Sequence, residues 1–320
     1  MNPIRLSNIR KVFDPTHFNL PLECHFYAQS PQTLVFDNCV RVYFSSRYID
    51  SPGNFVSRII YADFDTSFES LLRISNKPVL EPAGLGTYDE HGIFPLHVFR
   101  EGSRIFGYIC GLSRRQSVSV ESSIGLSESF DEGETFVRKG IGPVITSSLF
   151  EPFLVCDPFV LKEESVYHMW YVFGLRWMQT NPAEKPERVY KIGHATSFDQ
   201  INWKKENKSI ISDVIDEDEC QALPTVMSYK GIYHMIFCYR KAIGFRDDKS
   251  KGYRLGYAYS NDLLNWTRND ELLKFENTQD SWDADMRCYP HFCRINEKIF
   301  LLFNGNEFGK YGFGVAEIDL

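Results

Sequence analysis

Carboxylates gather just ahead of prolines at several points in this chain. Asp157 immediately precedes Pro158, Glu219 and Gln221 precede Pro224, Asp283, Asp285 and Arg287 precede Pro290, and Asp89, Glu90 and His91 precede Pro95. Carboxylates brought together repel one another, and burial raises the pKa of some of them. That is the condition under which one carboxyl serves as general acid while another stays ionised. Whether these side chains meet depends on the elements that carry them.

The prolines provide that frame. Pro31, Pro95, Pro158, Pro224 and Pro290 are spaced by 64, 63, 66 and 66 residues, and each opens a copy of one pattern, an internal repeat of five units. An apolar strand follows the proline, then a polar turn such as Lys162-Glu163-Glu164 or Tyr229-Lys230-Gly231. A second strand alternates large residues, Tyr167/Met169/Tyr171 and Tyr233/Met235/Phe237. A third carries a recurring signature: IGLSESFDEGETF from 124, IGHATSFDQINW from 192, LGYAYSNDLLNW from 255, FGVAEI from 313, and a weaker IIYADFDTSFE from 59. A fourth is expected at PVL (78–80), PVI (143–145), SII (209–211) and ELL (271–273).

The expected fold is all-β, one domain over 1–320. It is a five-bladed β-propeller of four-stranded antiparallel blades at about 20–80, 88–146, 152–212, 218–274 and 283–320. The last repeat stops at its third strand. IRKVFDP (9–15) is expected to complete it, closing the ring with an N-terminal strand and leaving no open sheet edge.

In a propeller the first strand of each blade lines the central tunnel, so the windows before the prolines should converge on one mouth. They offer His25 and Gln29; Asp89, Glu90 and His91; Asp157, with Glu151 further out; Asp216 to Glu219 and Gln221; and Asp283, Asp285 and Arg287. The proline after Asp157 is architecture because it repeats. The carboxylate is not, because Ser30, Phe94, Leu223 and Tyr289 stand at the equivalent positions. Trp177 and Trp282 lie in inserts near the same mouth and are candidate stacking platforms, with hydrophobic filling as the even alternative. The turns Ser197–Trp203 and Ser260–Trp266 recur in register and read as hairpin caps. His168 and His234, duplicated in "YHM", read as structural.

Other classes are disfavoured. The net charge is −7 and basic residues cluster only in pairs, so no nucleic-acid partner is expected. No apolar run suits a signal peptide or membrane helix. Eight cysteines are spread singly, as in a cytoplasmic protein with reduced thiols. Cys156, Cys220 and Cys288 lie in the proline register with His25 and His91, but without the tight spacing of a zinc site. No cofactor is expected, a Ca²⁺ held by carboxylates and carbonyls in the tunnel being the alternative. The glycines of NGNEFGKYGFG (304–314) lack the strand–loop–helix context of a nucleotide loop.

Tunnel-facing carboxylates on five blades resemble the glycoside hydrolase superfamily that includes families 32, 43, 68 and 130. Asp157-Pro158 is similar to its sugar-orienting Asp, and Glu219-Cys220 resembles the acid motif of family 32. The segments DEDECQALPTV, WYVFGLRW and NGNEFGKYGFGVA resemble a group of bacterial glycosidase-like propeller proteins. The resemblance implies a carbohydrate substrate and cleavage of a glycosidic bond. Glu219 would be the acid, Asp89 the base or nucleophile, and Asp157 the residue that holds a sugar hydroxyl and keeps Glu219 protonated. Arg287, Asp285, His91, Gln221 and Gln29 would contact the substrate, Arg287 taking an acidic sugar or a phosphate. One departure stands out. The superfamily places an Asp in blade one, and the window ECHFYAQSPQTL has none. An incomplete pair suits phosphorolysis, in which phosphate attacks, a transferase variant, or a glycan- or protein-binding propeller without chemistry.

Overall fold

The structure, a computed structural model, describes residues 2–21, 23–276 and 281–320. Five sheets, each built on antiparallel hairpins, form the blades of a propeller. Blade one consists of Phe26–Val35, Val40–Ser51, Asn54–Phe64 and Leu71–Ile74. Blade two consists of Ile93–Glu101, Arg104–Arg114, Val120–Ser129 and Val137–Arg138. Blade three consists of Val155–Glu163, Val166–Met178, Glu187–Ser197 and Lys204–Lys205. Blade four consists of Glu219–Tyr229, Ile232–Lys241, Arg254–Ser260 and Thr267–Arg268. Blade five combines Cys288–Ile295, Lys298–Asn304 and Phe313–Asp319 with the N-terminal strand Ile4–Phe13. Each first strand packs against the first strands of both neighbours, which closes an inner ring around the tunnel.

The N-terminal strand pairs antiparallel with Phe313–Asp319, so the expected closure is present, although the strand begins at Ile4 rather than at residue 9. Leu273–Phe275 pairs parallel to Ile4–Leu6 and gives this sheet a fifth strand. The fourth strands are not where the sequence placed them. They follow the third-strand turn at once, and PVL and PVI contribute single bridges, Ile59 to Leu80 and Ile124 to Ile145. Ser209–Ile211 is not a strand, and ELL lies mostly in the 3₁₀ turn Asp270–Leu272. Two-residue outer strands such as Lys204–Lys205 carry no alternation to read.

Aromatic residues of the repeated turns join the blades. Phe136 of blade two packs edge-on to Tyr43 of blade one, at 6.0 Å between ring centroids. Trp203 meets Tyr108 at 6.1 Å, Trp266 meets Trp170 at 6.0 Å, and Phe68 meets Phe300 at 5.3 Å. In each case the turn of one blade covers the second strand of the blade before it. The turns are held as expected. Asp199 Oδ1 accepts the N–H groups of Ile201 (2.9 Å) and Asn202 (2.8 Å), and the Trp203 indole donates to the Gln200 carbonyl at 2.9 Å. Asp262 and Trp266 repeat the arrangement.

The first strands share a feature that matters for the site. Each breaks register at its proline, between Gln29 and Gln32, Ile93 and Leu96, Cys156 and Phe159, Ala222 and Thr225, and Cys288 and His291. The residue before the proline has positive φ in four blades: Ser30 (55°), Asp157 (54°), Leu223 (46°) and Tyr289 (56°). A bulge bends its strand and re-aims a side chain. Here it is repeated around the ring.

Candidate active site at one mouth of the tunnel

Four of the five pre-proline residues meet. The Leu223 N–H donates to Asp157 Oδ2 at 3.3 Å, and the rings of Phe94 and Tyr289 lie edge to face at 5.5 Å. Asp157 borders a cavity of about 80 Å³ lined also by Phe94, Arg188, Tyr190, Tyr253 and Tyr289, drawn from blades two to five. The Asp157 side chain is buried, and burial lifts its pKa to about 7, against the opposing pull of the Leu223 N–H and the Arg188 charge. A carboxyl poised there can give or take a proton at neutral pH.

Two guanidinium groups stand at or behind this cavity without a carboxylate partner among the described residues. Arg188 lines it, standing opposite Trp177 in the hairpin of blade three, its charge 5.7 Å from the indole, and donates to Ser119 Oγ at 3.1 Å. Arg240 is 3% exposed and lies behind the tyrosines. It donates to the Tyr190 hydroxyl (2.9 Å) and the Lys241 carbonyl (2.7 Å), stacks 3.5 Å over Phe245, and its Nε has no partner. The Tyr190 hydroxyl in turn bonds that of Tyr253.

The other predicted carboxylates are elsewhere. Glu219 is fully buried and takes donors from Arg268 Nη1 (2.5 Å), Val214 N (3.0 Å), Ile215 N (3.1 Å) and Gln221 Nε2 (3.1 Å). Asp89 is fully buried against Arg138, whose Nε lies 3.0 Å from Oδ2. Glu151 pairs with Lys205 at 2.6 Å and accepts from Tyr171 at 2.7 Å. Arg138, Lys205 and Arg268 are the last residues of the fourth strands of blades two, three and four. The carboxylate periodicity is therefore a repeated internal tie, from the approach to the first strand across to the outer strand of the same blade. A buried carboxylate needs such a counter-ion. The expected convergence is therefore not what the geometry shows at this cavity: Glu219 and Asp89 are not among the residues that line it with Asp157, and each is held by an arginine of its own blade.

The remaining candidates divide. Trp177 flanks the mouth through Arg188. Asp285, ion-paired to Lys249 (2.6 Å), and Arg287, ion-paired to Asp283 (2.7 Å), line a recess of about 360 Å³ that adjoins the Asp157 cavity at Tyr253. Gln221 is buried and serves Glu219 and Asp213. The Gln29 amide donates to the Phe308 carbonyl at 2.5 Å. His91 Nδ1 accepts the Arg114 N–H at 3.3 Å on the rim of blade two. Trp282 stacks on Phe303 at 5.2 Å and lines a separate recess with Lys11 and Tyr311. Among the described residues no three His, Cys, Asp or Glu side chains are placed to hold a metal ion, and the eight cysteines are unpaired thiols.

The sequence reading missed Arg188, Tyr190, Tyr253 and Tyr289. A signal for them existed. Tyr190 and Tyr253 each stand two residues before a third-strand signature, at Ile192 and Leu255, and Arg188 stands four before. Residues two and four before the equivalent Ile124, Ser122 and Val120, line the same cavity. The period-2 alternation of the third strand brings one face of it to the mouth.

No family model matches the chain. An uncharacterised protein of Mycobacterium tuberculosis (Rv1502) is 28% identical over 279 residues, covering 87% of this chain and 88% of that one. A 1,2-β-oligomannan phosphorylase of Thermoanaerobacter sp. is 29% identical over 116 residues, 36% of this chain and 34% of that one. Among solved structures, a protein solved as an RGII complex aligns with a TM-score of 0.73 at 14% identity, covering 98% of this chain and 92% of that one. A β-1,2-mannobiose phosphorylase from Listeria innocua, solved with β-1,2-mannobiose, aligns with a TM-score of 0.68 at 12% identity, covering 100% and 97%. The chain shares the five-bladed propeller fold of glycoside hydrolase-like proteins.

Proposed function

We propose that the chain is a carbohydrate-active enzyme that transfers a glycosyl group to phosphate, with Asp157 as general acid. The observation that carries this reading is one buried carboxyl with a pKa near 7, at a mouth served by two guanidinium groups that have no carboxylate partner among the described residues. Hydrolysis in the usual form needs two carboxyl groups, ~5–5.5 Å apart for retention or ~6.5–9.5 Å for inversion. Among the described residues Asp157 is the one carboxylate lining this cavity. Phosphorolysis needs only the acid, because the nucleophile arrives with the co-substrate. In that step the anomeric C–O bond breaks, a bond forms from the anomeric carbon to a phosphate oxygen, and the Asp157 proton passes to the leaving oxygen. A proton lost by the incoming phosphate restores the acid. Arg188 meets the phosphate charge, Arg240 adds to the field from behind, and Trp177 with the tyrosines offers faces to the sugar.

The named relatives support the substrate class, since two of them are phosphorylases of β-1,2-linked mannosides. In the cytoplasm expected from the cysteine pattern, such an enzyme would keep the bond energy of an imported glycoside as a sugar phosphate. The test is incubation with β-1,2-mannobiose and longer oligomannans, with and without inorganic phosphate, followed by ³¹P NMR. A sugar 1-phosphate formed only with phosphate supports the reading. Release of free sugar at a rate indifferent to phosphate assigns a hydrolase instead. Binding without turnover assigns a glycan-binding propeller.

A further inference from the structure

Blade one departs from its neighbours. Blades two, three and four each bury a carboxylate ahead of the first strand and neutralise it with a cation of the fourth. Residues 23–30 of blade one hold no carboxylate but the exposed Glu23, and the second strand brings a guanidinium instead, that of Arg47. Arg47 is partly exposed, so a solute can reach it. Among the described residues its side chain makes no hydrogen bond and no ion pair.

The group is held in place all the same. Its guanidinium lies 4.3 Å from the centre of the Tyr27 ring. Tyr27 takes a φ of 69°, uncommon for a bulky residue, where the first strand breaks register between Phe26 and Gln29. Backbone strain of this kind clusters at binding sites. The ionisable groups that act on the Arg47 charge are the Tyr27 and Tyr289 hydroxyls, with no carboxylate among them. Tyr289 lines the Asp157 cavity and packs edge to face with Phe94. Ser45, two residues earlier on the same face of the strand, donates to the carbonyl of Ile93, the residue before Phe94, at 3.3 Å. Arg47 therefore stands beside the Phe94–Tyr289 pair on the blade-one side, and Asp157 on the blade-three side.

Three guanidinium groups at the mouth thus lack a carboxylate partner among the described residues: Arg188, Arg240 and Arg47. A phosphate dianion matches the first two in charge. Arg47 is left for a charge on the sugar, and a guanidinium takes a carboxylate by a planar two-point contact. Resting on the reading of this mouth as a sugar site, we propose that the glycoside taken here carries a carboxylate, as a uronic acid does, and that Arg47 on its Tyr27 platform binds it.

The test uses the full chain in phosphate-free buffer at constant ionic strength. Sodium D-mannuronate, D-glucuronate and D-galacturonate are titrated by saturation-transfer NMR, each beside its neutral counterpart, D-mannose, D-glucose or D-galactose. The proposal expects at least one uronate to bind roughly 10-fold or more tightly than its counterpart, the effect of a hydrogen bond to a charged group. That preference should be lost in Arg47→Met and kept in part in Arg47→Lys. It should survive both Arg188→Met and saturating inorganic phosphate. A wild-type protein that prefers none of the three uronates overturns the proposal without recourse to any variant. So does a preference that Arg47→Met leaves in place, or one that Arg188→Met or phosphate abolishes, which would assign it to the phosphate site. Phosphorolysis is read separately by ³¹P NMR. A uronate preference without sugar phosphate from any glycoside would strike that reading and leave Arg47 its ligand. Sugar phosphate from β-1,2-mannobiose with no uronate preference would strike this proposal alone.

Discussion

Glu219 and Asp157 are both buried carboxylates at the start of a first strand, in neighbouring blades, and the protein treats them in opposite ways. Glu219 receives a guanidinium, two backbone N–H groups and a side-chain amide. Asp157 receives one backbone N–H at 3.3 Å and a more distant arginine. The first is a structural tie, and Asp89–Arg138 and Glu151–Lys205 repeat its logic. The second is not compensated, so its proton is held by burial and can be exchanged. A cluster of like residues in sequence thus contains two populations, which the counter-ions separate.

The largest expected effect falls on Asp157. Asp157→Asn should lower turnover by roughly 10²–10⁴-fold, the usual contribution of a positioned acid. It should also remove a pH-dependent burden on stability. The folded pKa, about 7, lies above the ordinary 3.8, so the folded state holds the proton more tightly than the unfolded chain. Wild-type stability from this group is complete below about pH 4 and is lost as pH rises through 7. The Asn variant has no such loss. Its melting temperature relative to wild type should therefore rise between pH 4 and pH 8, by the equivalent of about 4 kcal/mol at one pKa unit per 1.36 kcal/mol. A difference that does not change with pH would show that Asp157 is not protonated by burial.

Glu219 is expected to behave in reverse. Glu219→Ala leaves the buried Arg268 with Asp270 as its remaining carboxylate partner among the described residues, and breaking such a pair costs up to about 3–5 kcal/mol. Denaturant unfolding should show that loss, and the soluble fraction should retain turnover per folded molecule. Loss of turnover with unchanged stability would return Glu219 to the chemistry and remove the contrast.

Much of the architecture was legible because a propeller writes itself five times. The prolines, the alternating second strands and the capped turns recur, and what recurs is structure. The same logic applies to the carboxylates. Asp89, Glu151 and Glu219 recur with Arg138, Lys205 and Arg268 about 50 residues later, and a recurring pair is a tie. Asp157 could be separated from the sequence because its position holds Ser, Phe, Leu and Tyr in the other blades. Third-strand alternation can bring Arg188 to the mouth, but neither it nor recurrence says whether Arg188 or Arg240 is paired. What distinguishes them is the absence of a counter-ion among the described residues, and that depends on which side chains from other strands arrive nearby.

The next expected effect is on the phosphate site. Arg188→Met should raise the KM for phosphate by roughly 10–100-fold, the range of a hydrogen bond to a charged group, with a smaller change for the sugar. Equal losses for both substrates would point to a general distortion of the mouth.

The smallest effect separates burial from charge as the cause of the Asp157 pKa. Activity that requires protonated Asp157 should fall as pH rises through about 7. Arg188 opposes burial by favouring the ionised form, but it ranks behind both burial and the Leu223 N–H. Removing its charge should move the alkaline limb of kcat/KM upward, by less than the displacement that burial itself causes. A downward move would mean that Arg188 does not act on Asp157 through its charge, and that the arginine and the acid belong to different parts of the site. An unchanged limb, with KM for phosphate still raised, would keep Arg188 as an anion ligand and leave the acid to burial alone. In both variants the comparison with Glu219 decides how far a missing counter-ion can be read as a functional mark. The blade ties have partners and should lose stability when broken, whereas the mouth lacks them and should lose chemistry.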